Sequence, residues 1–275
     1  MTERDFVHRG FGGVATPADI APSVVLVRSR EQVLAMAGTW EDARLVADHY
    51  AYLVWTGRVG DVRLTACSTG TGSASAAIAI EELAILGART LLGLGAAREP
   101  LAPSGAVLVA EGAFRADAAS AGYVRAGFPA VPDVEVVLAA VGSARASGAD
   151  VRHTVVADVD ASLDAPVGDP PRRAHGAIAL EAAFRESGSV PVHGSPAVLF
   201  VQGAVHGLRT GFLAADDAPE AQARLRTVAV DALRRLAAWD HGAGGEPVPV
   251  AERVAAMPFA TPDADSVAHG EPRDP

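Results

Sequence analysis

The sequence contains no lysine, so all 23 of its basic residues are arginine. That absence excludes Schiff-base chemistry and the lysine of a phosphate-binding Walker loop. Cysteine occurs once, at Cys67, which rules out an internal disulfide and a cysteine-based zinc site and fits a reducing compartment. An excess of positive charge is also missing: the formal charge is −10 and the isoelectric point near 5.2. Nucleic acids and anionic membranes reward clustered basic residues, so the expected partners are a small-molecule substrate and further copies of the chain. No apolar run reaches the roughly 18 residues of a membrane span, and Met1 to Asp5 shows no basic stretch leading into an apolar one. The expected location is the cytoplasm.

What is present has the balance of a folded globule, with 49% hydrophobic and 20% charged residues. The 275 residues suit one α/β domain over 1–240, followed by a flexible Gly-, Pro- and Asp-rich tail over 241–275. Val24 to Val27 reads as a buried strand and Glu31 to Ala37 as a helix. Arg44 to Val54 and Val62 to Cys67 read as strands joined around Gly57 and Gly60. Ala74 to Leu86 is helical, with Glu81 and Glu82 assigned to its solvent side. Further strands are expected at Thr90 to Leu94, Ala106 to Ala110, Val151 to Val159, Val190 to His193 and Phe212 to Ala215. Further helices are expected at Val134 to Ala146, Ala174 to Arg185, Pro196 to Val205 and Glu220 to Trp239. This alternation predicts a central mixed β-sheet flanked by helices on both faces.

Between one strand and its following helix lies Ser68-Thr69-Gly70-Thr71-Gly72-Ser73. Backbone N–H groups and the helix dipole favour an anion there, although such a glycine turn also serves close packing. Its spacing is neither a Walker loop nor a dinucleotide fingerprint.

Cys67 to Gly72, followed by Ala76 to Leu83 and Leu86-Gly87-Ala88-Arg89-Thr90, resembles the central segment of bacterial uridine phosphorylases. Leu199-Phe200 through His206-Gly207-Leu208-Arg209-Thr210-Gly211 and Phe128 to Asp133 resemble two further segments, so the likeness spans roughly residues 5 to 239. It implies a single-domain nucleoside phosphorylase-like fold; no cofactor is expected. It also implies a homo-oligomer, either a dimer or a hexamer built as a trimer of dimers, whose sites are shared between subunits. His8 matches the family histidine that reaches toward a neighbour's ribose 5′-hydroxyl.

The other site positions depart from the family. Its phosphate-contacting Gly-Asp-Pro loop falls on Arg28-Ser29-Arg30, and its three phosphate arginines fall on Gln32, Gly93 and Tyr50. Its Gly-Thr-Thr-Gly turn becomes Gly95-Ala96-Ala97-Arg98, and the glutamate that binds the sugar hydroxyls becomes Ser195, within His193-Gly194-Ser195-Pro196. The uracil-reading loop falls near Ser162 to Val167 without its Gln and Arg, while Asp217 matches the acid of purine-acting relatives. Asp216 and Asp217 also suit the N-cap of the following helix. Arg28, Arg30 and Arg98 stand close enough in sequence to the lost arginines to replace them. His153, His175 and His206 have no metal-ligand spacing, and no metal site is expected.

The candidate catalytic residues are therefore His8, His193, Ser195 and Asp217. The candidate substrate contacts are Arg28, Arg30, Tyr50, Gly70, Thr71, Gly95, Ala96, Ala97, Arg98 and Phe212. Loss of the phosphate, ribose and base contacts together leads to the expectation of an enzyme turned away from phosphorolysis, doing acid–base chemistry on another small molecule in specialised metabolism. The alternatives are a nucleoside phosphorylase with a phosphate site rebuilt from Arg28, Arg30 and Arg98, and a non-catalytic ligand-binding or partner subunit.

Overall fold

The structure is a computed structural model that describes residues 10–98, 101, 103, 105–157, 183–184 and 186–241. His8, the segment 158–182 and the tail beyond 241 lie outside the described residues, and with them the expected base loop and the helix at Ala174. Contacts divide the chain into the units Met1–Ala237 and Ala238–Pro275.

Strand β1 (Ser23–Val27) carries the apolar run predicted for it and is buried on both faces. Ser29 then caps α1 (Arg30–Ala37) through a capping box: its hydroxyl accepts from the Gln32 amide, and the Gln32 side chain accepts from the Ser29 amide. Strands β2 (Glu41–His49), β3 (Tyr52–Val59) and β4 (Val62–Ser68) form a meander that ends alongside β1. The expected turn at Gly57 is instead the interior of β3, where a Cβ would stand 3.0 Å from the Glu41 carbonyl oxygen. The chain reverses at Tyr50, which takes a left-handed φ of 51° without being glycine or asparagine.

α2 (Ser73–Ile85) follows the glycine turn and leads to β5 (Thr90–Ala97), β6 (Val107–Phe114) and a short α3 (Ala118–Tyr123) that hydrophobic periodicity did not reveal. α4 (Val134–Ala146), β7 (Val151–Ala157), β8 (Val190–His193), α5 (Pro196–His206), β9 (Arg209–Ala215) and α6 (Pro219–His241) complete the order. Among the described residues the strands form one mixed sheet ordered β2-β3-β4-β1-β5-β8-β7-β6-β9, and β9 also pairs with β5. The second half of the sheet thus closes on itself, and β5 is the seam shared with the open half.

Helices cover both faces, as expected. A Cβ at Gly211 would meet Val136 of α4, whereas neighbouring Thr210 touches Gly203 of α5, and successive strand residues point to opposite faces. Glu82 is not on the solvent side of α2. It is 2% exposed and accepts backbone hydrogen bonds from Gly10 and Phe11, which seats the chain's first described residues on the core.

Candidate active site

Strands β4, β1 and β5 run parallel side by side, and their carboxyl ends frame a small open cleft. Open α/β sheets bind ligands at such an edge. β1 supplies Leu26, Val27 and the following Arg28, and Thr69 comes from the turn after β4. Ala76 and Ile80 of α2, with Gly93 and Leu94 of β5, line the base, and Gly194, Ser195 and Leu199 close the side next to α5.

The turn after β4 is held by its own chain. The amides of Thr69 and Gly70 donate to the carbonyls of Val27 and Arg28, continuing the β1 ladder. Ser75 Oγ donates to the Thr69 carbonyl, and the Tyr52 hydroxyl donates 3.0 Å to the Ser75 carbonyl. Gly70 and Gly72 have φ of 73° and 90°, and a Cβ on Gly70 would stand 2.7 Å from Ala51 Cβ, so this turn requires glycine. Gly72 caps α2 without a side-chain hydrogen bond. Thr71 is exposed and does not line the cleft.

The three candidate replacement arginines separate clearly. Arg28 is exposed at the cleft, and among the described residues its guanidinium has neither an ion-pair nor a hydrogen-bond partner. Arg30 is engaged elsewhere: Nη2 lies 2.7 Å from Asp48 Oδ1 and Nη1 donates to the Tyr50 carbonyl, so it braces the β2–β3 hairpin. Arg98 lies beyond β5, with its amide donating to the Pro191 carbonyl, and does not line the cleft. Tyr50 is 83% exposed at the hairpin tip, edge-on to His49, and also stands outside the cleft.

Gly95, Ala96 and Ala97 do not form a substrate-facing turn. They extend β5, with Ala96 opposite both His193 and Ala215 and Ala97 opposite Val192. A Cβ at Gly95 would lie 2.1 Å from the His193 carbonyl oxygen, which is why the strand carries glycine there. Phe212 does not line the cleft. It is 1% exposed, and Cβ atoms at Gly93, Gly95 and Gly194 would all meet its ring within 2.9 Å. Gly93, where the family places an arginine, is thus backed by Phe212 and Leu199.

Of the expected catalytic residues, the structure brings Ser195 to the cleft, 7% exposed, with a left-handed backbone at φ 56° and ψ 46°. His193 is part-buried one step outside the lining, and Asp217 is exposed ahead of α6. Neighbouring Asp216 accepts a 2.7 Å hydrogen bond from the Leu101 amide. Burial, followed by the Glu82 charge, pushes the Cys67 thiol far up, so it stays protonated.

Gln222 was not anticipated at all. Its Nε2 donates to the carbonyls of Gly95, Ala215 and Asp216, and its Oε1 accepts from Gln32, tying α6 and α1 to the ends of β5 and β9. Only its polarity on a buried helix face marks it. Arg28, Thr69 and Ser195 suit an anion and a hydroxylated ligand, and among the described residues no His, Cys, Asp and Glu group could hold a metal.

A family model described as "Phosphorylase superfamily" matches residues 22–190. Uridine phosphorylase of Thermococcus kodakarensis is 33% identical over 239 residues, covering 82% of this chain and 85% of that protein. Uridine phosphorylase of Salmonella typhimurium is 29% identical over 259 residues, covering 86% and 100%. Guanosine phosphorylase of Halorubrum lacusprofundi is 31% identical over 145 residues, covering 52% and 60%. The chain belongs to the nucleoside phosphorylase superfamily. These relatives overturn the expectation of an enzyme turned away from phosphorolysis into specialised metabolism.

Proposed function

We propose that this chain is a nucleoside phosphorylase of the uridine type whose phosphate is held by Arg28. The observation that carries the reading is an arginine at the sheet-edge cleft with no carboxylate partner among the described residues. An ion pair with a neighbouring carboxylate would have engaged that charge, as Asp48 engages Arg30. A guanidinium binds two phosphate oxygens at once and orients the anion as a nucleophile. In phosphorolysis a phosphate oxygen forms a bond to C1′ of the sugar while the C1′–N bond breaks and the base leaves with its electron pair, taking up a proton. Leu26, Leu94 and Leu199 line the cleft with apolar surface, which favours bound phosphate over water as the attacking group.

The relatives named for uridine supply the base class. Uracil release from uridine or 2′-deoxyuridine should require phosphate, and R28Q should raise KM for phosphate about ten- to a hundredfold, the loss of one charge-assisted contact. An unchanged KM would remove Arg28 from the site.

The chain also reads as a cytoplasmic homo-oligomer, supported by the free, buried Cys67 and by Tyr50, an aromatic side chain 83% exposed on a hairpin braced by Arg30. Light scattering should give more than one chain mass, and Y50A should weaken the assembly. A monomer at micromolar concentration would contradict this.

A further inference from the structure

We propose that Gln32 is a positioning residue for phosphate: it fixes the backbone of Arg28 from behind, and Gln222 in turn fixes Gln32. The proposal rests on the phosphorolytic reading above, in which the Arg28 guanidinium holds the anion.

Arg28 is anchored through the two peptides that flank it. On its amino side the Val27 carbonyl accepts from the Thr69 amide at 2.8 Å. On its carboxyl side both ends of one peptide plane are tied. The Arg28 carbonyl accepts from the Gly70 amide at 3.1 Å, and the Ser29 N–H donates to Gln32 Oε1 at 3.1 Å. A planar peptide held at both ends cannot rotate, so the direction in which the Arg28 side chain leaves the main chain is set. The guanidinium itself has no partner among the described residues. An arginine rooted in this way gives up less freedom when phosphate binds.

The hydrogen bonds beyond Gln32 have one possible polarity. Gln222 lies 3.3, 3.4 and 3.1 Å from the carbonyl oxygens of Gly95, Ala215 and Asp216, which can only accept. Its Nε2 must face them, and its Oε1 is then turned toward α1. Gln32 meets that oxygen with its own Nε2 at 3.5 Å, which leaves its Oε1 for the Ser29 N–H. The Ser29 N–H is a donor and demands the same orientation, so the two ends of the relay agree.

The family likeness places a phosphate arginine at position 32, yet Gln32 does not line the cleft. It reaches from α1 toward α6, so the position acts on phosphate through Arg28 and not by touching it. A capping box alone needs only Ser29 and Gln32. The engagement of Gln222, 190 positions away and 7% exposed, joins that box to Gly95 on β5, a strand that frames the same cleft.

The test measures uracil release from uridine at varied phosphate for the full chain and for R28Q, Q32M and R28Q/Q32M, with the folding of each checked by circular dichroism. Q32M keeps the length and apolar stem of the side chain and removes both polar atoms. It should raise KM for phosphate about three- to tenfold, the worth of one neutral hydrogen bond, while kcat and KM for uridine stay within about twofold. A general loosening of the fold moves kcat and KM for uridine as well. Q32A should give the same split and serves where the methionine side chain is not accommodated. In the R28Q background Q32M should add less than about twofold, because Gln32 has no phosphate contact of its own. A phosphate KM raised in R28Q but unchanged in folded Q32M and Q32A would overturn the proposal and leave Arg28 in place. Full additivity in the double variant would mean that Gln32 touches phosphate itself, and would overturn it too. No uracil release, or a phosphate KM unmoved in R28Q, would overturn the phosphate site at Arg28 and this proposal with it.

Discussion

Arg28 and Arg30 stand two positions apart in the sequence, and composition gives no reason to prefer one. The structure separates them through Asp48, which lies across the β2–β3 hairpin 18 positions from Arg30. R30Q should therefore leave KM for phosphate within about twofold, because an exposed ion pair of this kind contributes only about 0–1 kcal/mol. Steady-state kinetics varying phosphate for R28Q and R30Q side by side reads the difference, and equal effects would contradict the assignment. Gly93 gives a second contrast. G93A places a methyl group against Leu199 and Phe212, whose buried ring cannot yield freely, and should cost about 1–3 kcal/mol in urea denaturation. G93A/F212L should recover part of that loss, whereas an additive double variant would show that the ring is not the obstacle.

At the scale of elements, the strands and helices built on plain periodicity are the legible ones. β1, α4 and β8 sit where the apolar runs place them. The expected single strand from Arg44 to Val54 fails because Tyr50 adopts a left-handed turn that its residue type does not announce. The solvent-side expectation for Glu82 fails for a different reason: its partners are the Gly10 and Phe11 amides, more than seventy positions away. The cleft was legible only as a glycine turn and a nearby arginine, since its apolar lining and the Gln222 tether arise from contacts distant in sequence.

The segment before β1 is tied to β2 by Asp19. The Thr16 hydroxyl and Arg44, with the Thr16 amide, hold the Asp19 carboxyl at about 2, below the usual carboxylate range. A folded-state value below the unfolded one means stability present above about pH 4 and lost as the pH falls toward 2. D19N should lower stability at pH 7 by about 1 kcal/mol, a figure reduced for solvent screening of this partly exposed pair. The deficit should shrink toward zero near pH 2 in urea titrations, and a deficit independent of pH would assign the effect to lost packing instead.

For the whole molecule, the family likeness outlasted the functional expectation built on it. Loss of the family's phosphate and sugar residues predicts a change of chemistry, but the structure keeps a sheet-edge cleft with Arg28 and Ser195 at its lining. The relatives that align across most of the chain are named uridine phosphorylase, and the phosphate site proposed at Arg28 would reconcile both observations. Sequence register tests position against position, and it does not see a charge supplied from a neighbouring turn. The measurement that decides the account is base release from uridine and 2′-deoxyuridine with and without inorganic phosphate. The account predicts uracil and a pentose 1-phosphate in equal amounts only when phosphate is present. No release, or release of uracil with free pentose at the same rate without phosphate, would contradict it.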